Sequence, residues 1–76
     1  MKSTTTDKFR SLLASAAPER QARIKAAYRL WKQNPAHPSL RFKKVHARLP
    51  VYSVRVDLDW RAVGILERDT PVWFWV

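Results

Sequence analysis

The sequence predicts an α+β domain: an N-terminal helical hairpin, over about residues 6–34, packed on an antiparallel β-meander over about residues 39–76. Three observations support this prediction. The chain has 76 residues, the length of a single domain. Apolar residues recur at helical spacing before Asn34-Pro35, whereas they alternate with polar residues in much of the later chain. The later segments also follow one another through short links, which favours hairpins over long crossovers.

The helical half divides into two segments. Thr4-x-x-Asp7 resembles a capping box, and a short amphipathic helix is expected over residues 6–16. Pro18 suits the first turn of a second helix, which is expected to end before Pro35, because the residue before a proline is disfavoured in the α region. One apolar stripe at helical spacing marks the face of this helix that enters the core: Ile24, Ala27, Tyr28 and Trp31.

Four strands are expected in the second half. The first opens at Leu40 and closes before Pro50. The second has one apolar and one polar face, because residues 52–59 alternate between the two kinds. A third strand covers residues 61–68, and Val72–Val76 forms the last.

The last strand reads VWFWV and is apolar on both faces. Strict alternation would point Trp73 and Trp75 one way and Val72, Phe74 and Val76 the other. A long apolar strand at an open edge is an aggregation hazard. The isolated chain is therefore expected to self-associate through this strand or to need a partner.

The chain is strongly basic. Fifteen Lys and Arg against six Asp and Glu give a net charge of +9, which attracts nucleic acid, an anionic membrane or an acidic protein at long range. The alternative is a charge that serves only solubility. There is no cysteine, no apolar run of about 18 residues and no signal-peptide pattern, so a cytoplasmic protein is expected.

The cations of the β half are the strongest candidates for a binding surface. Neighbouring strands lie about 4.8 Å apart, so cations on one face of adjacent strands form a cluster that fits a phosphate backbone. Arginine suits this role because its planar fork holds a phosphate through two hydrogen bonds. The same cluster could stabilise a pentavalent phosphorane during RNA cleavage without a histidine. The alternative is a solvated basic face. The candidate nucleic-acid-binding residues are Arg41, Lys43, Lys44, Arg48, Arg55 and Arg61.

Other polar residues support less. His37 is either a base or ligand, or a residue that caps the helix end in a proline-stiffened link; His46 is expected on the basic strand, exposed to solvent. Asp57 and Asp59 lack a third ligand at suitable spacing and are better suited to shape a turn. There is no Gly-rich phosphate loop and no nucleophile elbow. No metal ion or other cofactor is expected.

Four segments stand out together, in this order and at this spacing: NPAHPSL at 34–40, YSVRV at 52–56, WRAVG at 60–64 and WFWV at 73–76. They resemble the RelE/ParE superfamily of toxins from bacterial type II toxin–antitoxin pairs. The likeness runs from about Phe9 to Val76. It implies a helical hairpin on a curved antiparallel sheet, and an antitoxin protein that wraps over the toxin and covers its basic face.

The resemblance implies one of two targets. RelE-like members cut mRNA on the ribosome and so inhibit translation, whereas ParE-like members inhibit DNA gyrase and are not nucleases. Arg55 and Arg61 match basic positions of the RelE-like pattern and are the expected catalytic residues. Lys43 and Lys44 fall near further basic positions of that pattern.

This chain also departs from the family pattern. Ser53 stands where RelE-like nucleases carry a lysine, just after the strand tyrosine. Relatives with the WFWV strand usually continue into a glycine, a histidine and a tyrosine, so this chain is expected to lack the usual C-terminal tail. The resemblance favours a ribosome-dependent mRNA endonuclease. The alternative is a non-enzymatic toxin, either a gyrase inhibitor or an attenuated module that still binds an antitoxin.

Overall fold

The structure, a computed structural model, describes residues 3–76. Helix α1 spans Asp7–Ser15 and helix α2 spans Pro18–Gln33, and a short 3₁₀ helix follows at Pro38–Leu40. Five strands complete the fold: β1 (Thr4–Thr5), β2 (Lys43–Lys44), β3 (Val51–Asp57), β4 (Trp60–Glu67) and β5 (Thr70–Trp75). Within residues 3–76, neither helix is long and apolar enough to cross a lipid bilayer.

The five strands form one mixed sheet in the order β1-β5-β4-β3-β2. Strands β2 to β5 run antiparallel in chain order, which confirms the predicted α+β class and meander. Strand β1 lies outside the four strands expected in the second half of the chain. It pairs in parallel with β5, with Thr4 opposite Val72 and Thr5 opposite Trp73, so this part of β5 lies inside the sheet.

The helix boundaries confirm most of the prediction. Pro18 is the first residue of α2, and α2 ends at Gln33, just before Asn34-Pro35. The expected capping box is wrong, because Thr4 lies in β1. The N-cap of α1 is Thr6, whose Oγ1 accepts a hydrogen bond from the Phe9 N–H at 3.1 Å.

The core lies between the helices and one face of the sheet. Three residues of the predicted stripe, Ile24, Ala27 and Trp31, are buried, and Tyr28 is half-buried. The Trp31 ring meets the Trp73 ring edge to face, with 5.1 Å between the centroids. The rest of the core is Phe9, Leu40, Val54, Ala62, Trp73 and Val76.

The expected strand from Leu40 to Pro50 is wrong over most of its length. Leu40 ends the 3₁₀ helix, and Arg41 follows in the left-handed region with φ 44° and ψ 46°. That conformation turns the chain away from the extended path, so only Lys43 and Lys44 pair with β3. Arg41 and Arg48 therefore lie outside any strand.

A bulge changes the last strand. Trp73 pairs with Gly64 and Trp75 pairs with Val63, so two steps along β5 match one step along β4. Trp73 and Trp75 consequently lie on opposite faces, against the strict alternation expected from the sequence. Trp73 and Val76 are buried in the core, whereas Trp75 is 49% exposed.

Candidate nucleic-acid interface

Two arginines meet on the sheet face away from α1 and α2, called the outer face here. Val54 and Ala62 are opposite one another and buried in the core, and the next pair along the same two strands is Arg55 and Arg61. Because successive side chains of a strand point to opposite faces, this pair lies on the outer face. Both residues are half-buried. The two arginines are therefore cross-strand neighbours on this face.

The structure brings some of the other predicted cations to the same face. Lys43 is opposite Ser53, which shares a face with Arg55, so Lys43 also belongs to the outer face. Lys44 is opposite Tyr52 and lies on the face that carries the helices. Arg48 lies in the exposed loop between β2 and β3. The predicted set thus separates into three outer-face residues and three peripheral ones.

Arg61 is held by two hydrogen bonds that the sequence did not predict. Its Nε donates to Ser53 Oγ at 2.9 Å, and its Nη2 donates to the main-chain carbonyl of Arg41 at 2.9 Å. Ser53 is only 2% exposed. One signal in the sequence pointed to Ser53: it is a small polar residue on the strand face that also carries Arg55. No sequence signal pointed to the carbonyl of Arg41, because its direction depends on the left-handed backbone.

A substitution separates the contribution of the Arg41 side chain from that of its main-chain carbonyl. Arg41→Gly removes the exposed guanidinium but keeps the carbonyl, and glycine adopts a positive φ without steric cost. We expect the free energy of unfolding to stay level or to rise by up to about 1 kcal/mol. RNA binding should weaken only slightly, because the Arg61 contact remains. Urea denaturation and a filter-binding assay measure the two effects. A loss of more than 1 kcal/mol of stability would contradict the expectation that glycine fits this backbone conformation.

Asp57 stabilises the turn between β3 and β4. Its carboxylate accepts a hydrogen bond from the Asp59 N–H at 3.1 Å and pairs with Arg23 at 3.3 Å, which confirms the predicted turn role. Its main-chain carbonyl accepts from Arg55 Nε at 3.3 Å. Among residues 3–76, no group of three or more His, Cys, Asp or Glu side chains is placed to hold a metal ion.

The same contacts give a pH dependence. Partial burial alone would raise the pKa of Asp57, but the Asp59 N–H, the Arg23 hydrogen bond and the charges of Arg20 and Arg23 together lower it. Because the folded-state pKa lies below the unfolded value of about 3.9, the stabilisation is fully present above that value. It is lost as the pH falls through the folded pKa. The melting temperature of Asp57→Asn should therefore lie below that of the wild type at pH 6 and approach it near pH 2, and a constant gap would contradict this.

The two histidines bind within their own loops. His37 Nδ1 accepts from the Ser39 N–H at 3.2 Å and caps the 3₁₀ helix instead of the end of α2. His46 lies in the loop after β2, not on a strand, and its Nδ1 accepts from the N–H groups of Arg48 and Leu49. Over residues 3–76, no histidine is hydrogen-bonded to Arg61. The outer-face site is therefore built from cations and one hydroxyl.

A cavity lies on the helix side of the sheet. It is an apolar cavity of about 240 Å³. Its lining residues include the aromatic residues Trp31, Phe42, Tyr52 and Trp73, and Asp69 is the one acidic residue among them. The cavity is separated from Arg55 and Arg61 by the sheet itself. The polar chemistry of this protein is thus on one face and its apolar recess on the other.

Comparison with known proteins supports the fold. No protein-family model and no curated protein matches the chain. Among solved structures, the crystal structure of the RelB–RelE antitoxin–toxin complex from Methanococcus jannaschii contains a similar chain, with a TM-score of 0.73 and 17% identity. The match covers 93% of this chain and 84% of that chain. The protein therefore has a RelE-like fold, as the resemblance in its sequence predicted.

Proposed function

We propose that this protein is the toxin of a toxin–antitoxin pair and that it cleaves mRNA on the ribosome in the cytoplasm, thereby inhibiting translation. The observation that supports this most is the Arg55–Arg61 pair on the outer face, with the Arg61 guanidinium held in one orientation. The RelE-like fold supports the toxin assignment.

The outer face suits the electrostatic part of RNA cleavage. When a 2′-hydroxyl attacks the adjacent phosphate, it loses its proton to water, and negative charge accumulates on the phosphorane oxygens. The bond to the 5′-oxygen then breaks, that oxygen takes a proton from water, and a 2′,3′-cyclic phosphate remains. Cations that are already oriented stabilise that charge without reorganising during the reaction. We assign Arg61 to the phosphate oxygens, and Arg55, on the neighbouring strand, to the positive charge of the same face. Lys43 would hold an adjacent phosphate of the backbone.

An antitoxin protein is the proposed partner. The similar solved chain belongs to a complex of a toxin with an antitoxin. A net charge of +9 in 76 residues favours an acidic partner, whose carboxylates would compete with RNA for the outer face. Bound antitoxin would then block the toxin by covering Arg55 and Arg61.

One observation favours a second function, that of a non-enzymatic toxin such as a gyrase inhibitor. Ser53 is uncharged, and its hydroxyl oxygen already accepts the Arg61 hydrogen bond. Neither histidine is hydrogen-bonded to Arg61 within the described residues. A surface with cations but few groups for proton transfer can bind a polyanion without cutting it.

A purified translation system tests both functions. The chain is added to a defined mRNA with and without ribosomes, and cuts are mapped by primer extension. We expect cuts only on translated message. Cuts on free RNA would indicate a general nuclease. If there are no cuts and gyrase supercoiling is inhibited in a parallel assay, the second function holds and the endonuclease is wrong.

A further inference from the structure

The two hydrogen bonds of Arg61 occupy one particular edge of its guanidinium. The Nε–H and one Nη2–H point the same way along the side of this planar group, and these two donors bind Ser53 Oγ and the Arg41 carbonyl. The opposite end, formed by Nη1 and Nη2, keeps two parallel N–H groups. Within residues 3–76, no side chain or carbonyl accepts from them. Two parallel N–H groups are the geometry that binds two oxygens of a phosphate.

The two acceptors are themselves fixed by the fold. Ser53 lies near the middle of β3, between β2 and β4, and is almost fully buried. The Arg41 carbonyl is directed by the left-handed turn that ends the 3₁₀ helix. The two acceptors belong to separate segments. The planar guanidinium can therefore hydrogen-bond to both only in one orientation. Arg61 is therefore preorganised before any ligand binds.

We propose that Ser53, with the main-chain carbonyl of Arg41, is a positioning residue that presents the Nη1/Nη2 end of Arg61 to a single phosphate group. Arg55, its cross-strand neighbour, adds positive charge to the same face. The inference rests on the proposed function for the identity of the ligand, an RNA phosphodiester. The orientation of Arg61 itself depends on no assumption about function.

Serine at position 53 suits the edge of the Arg61 guanidinium that it binds. A hydroxyl oxygen accepts a hydrogen bond and carries no charge, so it holds Arg61 without competing for the phosphate. A lysine at the same position would offer only donors and would repel the guanidinium. With serine at position 53 the site has one oriented arginine, whereas with lysine it would have two loosely held cations.

The arginine Nε–H signals in ¹H–¹⁵N spectra of the full chain test the orientation directly. Arg61→Lys identifies the Arg61 signal by its disappearance, and the exposed Arg29 of α2 serves as the internal reference. We expect the Arg61 Nε–H to exchange with water at least about tenfold more slowly than that of Arg29. Equal exchange rates of the two signals in the wild-type protein would overturn the proposal.

Ser53→Ala and Ser53→Thr then test the consequence for binding. In Ser53→Ala we expect the protection of the Arg61 Nε–H to be lost and the apparent Kd for inorganic phosphate, followed in the same spectra, to rise about tenfold. Ser53→Thr keeps the hydroxyl oxygen and should restore both. If Ser53→Ala folds and neither quantity changes, Ser53 does not position Arg61.

The proposed function is tested separately from the positioning of Arg61. In the translation assay, Ser53→Ala should lower kcat more than it raises KM, since oriented charge acts most strongly in the transition state. A chain that shows the protected Arg61 signal and binds phosphate, yet cuts no message, would leave the positioning intact and refute the endonuclease. A chain that cuts message although Arg61 exchanges freely would refute the positioning alone.

Discussion

On the proposed function, replacing Arg61 with alanine is expected to lower ribosome-dependent mRNA cleavage by about 100-fold, the usual consequence of losing one oriented charge donor in a reaction of this kind. The guanidinium faces the outer surface and is only half-buried, so its removal leaves the core packing unchanged. The substitution does remove the hydrogen-bond partner of the Ser53 hydroxyl, which a water molecule can then replace. The effect on activity should therefore far exceed the effect on folding.

Two controls make this result interpretable. Arg29→Ala removes the same charge from the exposed face of α2 and should leave cleavage within a factor of about two of the wild type, because only long-range electrostatics change. Arg61→Lys keeps the charge but not the planar fork, and should recover only part of the rate. Equal losses in Arg61→Ala and Arg29→Ala would show that net charge, not an oriented arginine, is what matters.

The second large effect concerns stability. Gly64→Ala is expected to lower the free energy of unfolding by about 1–3 kcal/mol, the range for overpacking a core. A Cβ at position 64 would lie 2.7 Å from Cε3 of the Trp73 ring and 3.0 Å from its Cδ2. Trp73 is 2% exposed and its ring meets that of Trp31 edge to face, so a shift of the Trp73 ring away from the new methyl group would disturb that contact.

Urea denaturation measures this change, and a double-mutant cycle assigns its cause. Trp73→Phe alone should destabilise the protein by removing part of a buried ring. Its smaller side chain also leaves room for the new methyl group, so the double variant should be more stable than the sum of the two single effects. Strict additivity would show that the Gly64 effect does not arise from the Trp73 ring.

The candidate site could be predicted from the sequence only in part. Arg55 emerged because strand alternation places it on the polar face of its strand, and Arg61 because it begins the next strand. Their expected catalytic role came from the family resemblance. Ser53 was noticed only as a departure from a family pattern, since no sequence signal shows which donor a buried hydroxyl will meet. Lys44 and Arg48 were grouped with the others because one uninterrupted strand was expected; the observed strand begins only after the left-handed Arg41, at Lys43, and ends at Lys44.

The sequence alone determined the α+β class, the boundaries at Pro18 and Asn34, the buried stripe of α2 and the excess of positive charge. These features depend on local spacing, on proline geometry and on composition, and each can be read within a few residues. The tertiary structure alone decided the parallel strand β1, the bulge that separates Trp73 from Trp75, and the clamp on Arg61. These depend on contacts between segments far apart in the chain, whose partners become neighbours only when the sheet closes around the core.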